Sequence, residues 1–131
     1  MFSEELRAFA DKTGHRLDLV FRTVCLEVSK QIILKTPVDR GRLRGNWQPQ
    51  IGSPINEPIE VFDKNGGPTV AKVNDVVSKA RYTDVFFLSN NLPYAEQIEN
   101  GSSRQAPQGM LKVTVAEWEE FVRKVTRRVI K

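Results

Sequence analysis

Leu6, Ala10, Leu17, Val20, Val24, Val28 and Ile32 fall at steps of three, four or their sum. That spacing holds them on one face of an α-helix. Ser3 is placed to cap its start. Pro37 sets its stop, because the residue before a proline avoids the α region. Gly14 lies inside the stripe, costs about 1 kcal/mol against alanine, and marks a place for a kink or a split. Unbroken, the helix is roughly 50 Å long at about 1.5 Å per residue. In a chain of 131 residues, a rod of that length spans a whole sheet or reaches a neighbouring subunit.

After the stop, TPVDRGRLRGNW (36–47) turns the chain through Asp39 and Gly41. Leu43 to Ile51 reads as extended. Ile59, Val61 and Phe62 read as a second strand, and KNGG (64–67) is a turn. In TVAKVNDVVSKA (69–80) the valines favour a strand, but the spacing of Val70, Val73 and Val77 predicts a short helix. YTDVFFLSN (82–90) reads as a strand stopped by Asn90, Asn91 and Pro93. Tyr94 to Asn100 is a helical segment ended by Gly101. Leu111, Val115, Trp118, Val122, Val125 and Val129 again follow the helical period to the C-terminus. Thr114 and Glu117 match a capping box, yet the stripe already holds at Leu111, which favours a start near Pro107. Trp47 and Trp118 are expected in the core. The whole of 1–131 is expected to be one α+β domain. Its long N-terminal helix and its C-terminal helix pack on a small, mostly antiparallel sheet, with a short helix between strands.

Hydrophobic residues at 40 % and charged residues at 27 % suit a soluble globular chain. No apolar run approaches the roughly 20 residues of a membrane span, and MFSEELRAFADK carries charge at every turn, unlike a signal peptide. Folding in a cytosol and no membrane partner are expected. The net charge of +4 permits contact with nucleic acid without demanding it. Arg123, Lys124, Arg127, Arg128 and Lys131 load the last turns of the final helix, where cations suit the helix dipole.

Cys25 is the sole cysteine and His15 the sole histidine. An intrachain disulfide is impossible and a four-ligand Cys/His zinc site is excluded. Cys25 sits in an apolar helical pattern and reads as a buried, inert thiol. His15, beside Gly14 in a polar run, reads as solvated. There is no phosphate-cradling glycine loop and no nucleophile elbow. Glu96 and Glu99 share a helical face, and Glu57, Glu60 and Asp63 could complete the acidic set of a metal nuclease, with Lys64 as its lysine. The stronger expectation for these carboxylates is pairing with nearby Arg or Lys, with no cofactor, no metal and no enzymatic activity.

Arg40, Arg42 and Arg44 alternate with Gly41 and Leu43. In an extended loop all three point the same way. Such a fork grips phosphate or carboxylate, or bridges to acidic residues of other elements.

Two stretches together carry a resemblance. KTPVDRGRLRGNW resembles the helix-end motif of the tailed-phage tail-component and head–tail joining family. VFFLSNNLPYAEQIENGSSRQAPQGMLKVTVAEW is similar to that family's second motif: a strand, Asn-Asn, Pro-Tyr-Ala, a glutamate–glycine corner (here Glu99-Asn100-Gly101), a Pro-x-Gly and a C-terminal helix. Order and spacing match from about residue 20 onward, roughly four-fifths of the chain. Arg40 departs from the family, which commonly has Thr or Ser there. The resemblance implies a structural virion protein of a long-tailed phage, assembled in the host bacterial cytoplasm. It would act in tail completion, at the neck, or as a tail terminator capping the tube. It implies a ring of identical subunits, six by the symmetry of phage tails, meeting tail tube and head connector, with genomic DNA passing through. On that reading Arg40, Arg42 and Arg44 contact a neighbour or line the DNA channel. Tyr94, Glu96, Glu99 and Arg104 form a subunit-contact corner, with the Tyr94 hydroxyl bonded to backbone. The competing readings are a small nucleic-acid-binding domain and a small metal nuclease.

Overall fold

The computed structural model describes residues 2–101, 103–106, 109–111, 114 and 117–129, leaving aside the side chains of Phe2, Ser3, Phe9, Ala10, Trp118, Glu119 and Val129. The expectation for Trp118 therefore lies outside the described residues.

Helix α1 runs Phe2–Lys35, unbroken at Gly14. It is followed by a single helical turn α2 (Arg42–Gly45), strand β1 (Trp47–Ile51), helix α3 (Gly67–Val77), strand β2 (Phe86–Asn90), the short helix α4 (Ala95–Glu99) and helix α5 (Trp118–Val129). β1 and β2 pair antiparallel, Trp47 opposite Asn90 and Ile51 opposite Phe86. The fold is α+β, with α3 between the two strands.

Among the described residues the sheet has two strands, so the segment around Ile59 to Phe62 is not a strand. It is held by single bonds instead. Asn46 Oδ1 accepts from Ile59 N–H at 2.8 Å, and Gly41 carbonyl accepts from Asp63 N–H at 2.9 Å. The strand read over 82–90 begins only at Phe86, because Arg81 to Asp84 make a turn in which Asp84 carboxylate accepts from Arg81 N–H.

The core gathers Ile32 and Ile33 from α1, Leu43, Trp47, Val73 and Val77 from α3, Leu92 and Met110. The Trp47 indole N–H donates to Thr36 Oγ1 at 2.8 Å, and that hydroxyl donates to Ile32 carbonyl at 2.7 Å. The tryptophan is thereby tied to the last turn of the rod. α1 packs against α3 and α5, and α3 against β1. Lys35 Nζ bonds Thr114 Oγ1 and Glu117, so α5 starts beside the end of α1 and runs back along it. Thr114 is itself helical and donates to Met110 carbonyl, so it is not a cap. Glu117 is a turn and α5 begins only at Trp118, so the single helix expected from near Pro107 is not what the described residues show, and Pro107 lies outside them.

α3 has no side-chain cap on its N-cap residue, Gly66. Asp63, 3 % exposed, does the work from outside the helix. Its Oδ1 accepts from Gly66 N–H at 2.8 Å, and its Oδ2 accepts from Thr69 N–H and Oγ1–H at 2.9 and 2.5 Å. Burial pushes this carboxyl up, but the bonds from Thr69 and Gly66 outweigh it and hold it below the ordinary range.

Candidate functional site

Pro37 stops α1 and the chain turns through Gly41, whose φ of 89° suits glycine. A Cβ there would stand 2.5 Å from the backbone of Asp63. Loop 37–41 is thereby seated on the 60–63 segment, and α2 begins at once.

That helical turn overturns the alternation argument for the arginines. Residues two apart on a helix point to nearly opposite sides, so Arg42 and Arg44 diverge. Arg44 turns inward and caps the end of α1. Its Nη2 donates to Leu34 and Thr36 carbonyls at 3.1 and 2.9 Å, and its Nη1 donates to Lys64 carbonyl at 2.7 Å. Arg42 pairs with Glu60 at 3.0 Å on the surface. Arg40 is exposed.

The second stretch is joined to the first. Asn90 Nδ2 donates to Leu43 carbonyl at 2.8 Å, and Asn91 Nδ2 donates to Ile55 carbonyl at 2.7 Å. Gln105 bonds Val38 twice, its Oε1 accepting from the Val38 N–H at 2.9 Å and its Nε2 donating to the Val38 carbonyl at 3.1 Å. Between the two stretches lies a cleft of about 430 Å³. Loop 37–43 lines it from one stretch, Tyr94, Ile98, Ser103 and Gln105 from the other, and Phe62 joins the lining. Phe62 is 56 % exposed and Tyr94 37 % exposed. Among the described residues the Tyr94 hydroxyl has no hydrogen bond, so its expected backbone partner is not found.

Glu96 and Glu99 face a different cleft on the other side of α4, about 380 Å³, lined by Trp47, Leu88 and Met110. Glu99 is a clasp. Its Oε1 accepts from Met110 and Leu111 N–H at 2.8 and 2.7 Å. Gly109 makes this approach possible, since a Cβ there would collide with the Glu99 carbonyl. Glu96 and Arg104 are exposed. Tyr94 therefore lies at a different cleft from Glu96 and Glu99.

Glu57, Glu60 and Asp63 do not converge. Glu60 pairs with Arg42, Asp63 is buried under α3, and among the described residues no three His, Cys, Asp or Glu side chains could hold a metal ion together. Cys25 is half-buried in α1, and burial pushes its thiol up to about 11. His15 is exposed.

Asp63, Gln105 and Asn90 are the functional geometry that the sequence did not signal. Each acts on a backbone group of another segment, and polar residues in loops carry no period that betrays such a partner. The arrangement offers two grooves with mixed apolar and charged walls, suited to binding a surface.

No protein-family model, curated protein or solved structure matches the chain.

Proposed function

We propose that this chain is a structural virion protein of a tailed phage, acting at the head–tail junction or tail end by forming a ring that joins tail tube to connector. One observation carries the reading. The two stretches that bear the resemblance, far apart in sequence, face each other across a single cleft and are tied by Gln105–Val38 and Asn90–Leu43. The exposed Phe62 and Tyr94 at that cleft suit a protein partner. Two of the candidate carboxylates bond the backbone, Asp63 under α3 and Glu99 under the start of the C-terminal helical segment. In this role the subunits meet their own kind around the ring. One ring face meets the tail tube, the other the connector, and DNA passes through the lumen.

The test is assembly. The chain is produced together with a phage tail-tube protein and the products are imaged by electron microscopy. Rings at one end of the tubes, and loss of head-joined tails when the gene is deleted from the phage, are the expected result. Intact virions from the deleted phage would sink the proposal.

A further inference from the structure

The N-terminal arm of α1 and the cleft lie at opposite ends of one rod. Every described side chain from Glu4 to Thr13 is exposed, Leu6 by 57 %. Asp18 is the first described residue of α1 to be buried. There the body of the domain takes hold, with Asp18 accepting from Tyr82 N–H at 2.9 Å. The cleft begins at Pro37, just past the end of α1. Along a straight helix the first turn of the arm and the cleft are roughly 45–50 Å apart. The arm therefore cannot reach the cleft of its own chain.

The two ends are complementary in chemistry. The cleft exposes the Phe62 and Tyr94 rings, and its rim carries Arg40 and Arg42 against Asp39. The arm carries Glu4 and Glu5 in its first turn, followed by Leu6. A helix about 10–12 Å across cannot enter a cleft of this volume, but the side chains of one face can fill it.

We propose that the arm of one copy docks on the cleft of the next, Leu6 against Phe62 and Tyr94, and the acidic first turn against Arg40. The proposal rests on the ring reading and deepens it by naming which surface meets which. A contact between two different patches is heterologous, so it repeats until a ring closes.

The experiment uses the full chain and two variants, Leu6→Asp and Phe62→Asp. Both positions are exposed, and circular dichroism checks that the fold persists. Native mass spectrometry reads assembly in multiples of the 14.9 kDa subunit. The parent should form multimers and each variant alone should stay a single subunit. Mixing the two variants should give a dimer and nothing larger, because only one intact arm and one intact cleft remain to meet. Arg40→Glu should raise the concentration needed for assembly, and adding Glu5→Arg should lower it again. Multimers that persist in both variants leave the ring reading standing and overturn the arm-to-cleft contact. A parent that stays a single subunit at every concentration overturns both.

Discussion

Asp63→Asn isolates what holds α3 in place. The substitution keeps size and shape but puts an amide where one carboxylate oxygen stood. Oδ1 still accepts from Gly66 N–H, whereas the amide nitrogen now confronts the Thr69 N–H, and the Thr69 hydroxyl must turn to accept from it. The bond from Thr69 N–H is lost and that from its hydroxyl gives up a charged acceptor, each change worth up to about 1.5–3 kcal/mol. Relief from burying a charge offsets part of that. A net loss of about 2–4 kcal/mol is expected, somewhat above the usual cost of a lost helix cap. Urea unfolding, followed by fluorescence and circular dichroism, measures it at pH 7. The pH dependence has a definite sign. The folded-state pKa is depressed, so the contribution is fully present above the ordinary aspartate value of about 3.9 and fades as pH falls through the folded value. The gap between parent and variant should therefore be constant from pH 7 to about 5 and narrow below about 4. A variant within about 0.5 kcal/mol of the parent at pH 7, or a gap that does not narrow in acid, refutes the argument.

Arg44→Ala should cost about 1–3 kcal/mol, because it leaves the carbonyls of Leu34, Thr36 and Lys64 without their donor; Arg40→Ala, at an exposed site, should stay within about 0.5 kcal/mol in the same titration. Cys25 should react slowly with a thiol reagent at pH 8 in the folded protein, since its thiol sits near 11, and quickly once urea unfolds the chain; equal rates would contradict its burial.

The long helix was legible because its apolar period, despite the gap at Thr13 and Gly14, keeps phase from Leu6 to Ile32. α3 was legible from spacing even though its valines favour strand, since Val73 and Val77 both reach the core. The alternation of Arg40, Arg42 and Arg44 misled, because a period of two says strand only where the backbone is extended. Gly41 at positive φ starts a helical turn instead. Ile59, Val61 and Phe62 have strand chemistry but no strand beside them to pair with, and a strand needs a partner as much as a composition. Of the candidate site, the two stretches were visible in sequence, and their meeting was not. It depends on Gln105 and Asn90 reaching across many residues to backbone groups that any sequence supplies.

The pair of hydrogen bonds between Gln105 and Val38 has a bearing on what can add to the loop. A backbone N–H and C=O offered side by side form a template on which an extended segment of another chain can add. Between Pro37 and Gly41 the loop would offer such a template next to an open apolar surface. A side-chain amide has the same donor and acceptor as a peptide group, and Gln105 occupies the template with one. The backbone groups of Val38 are thus closed to such pairing.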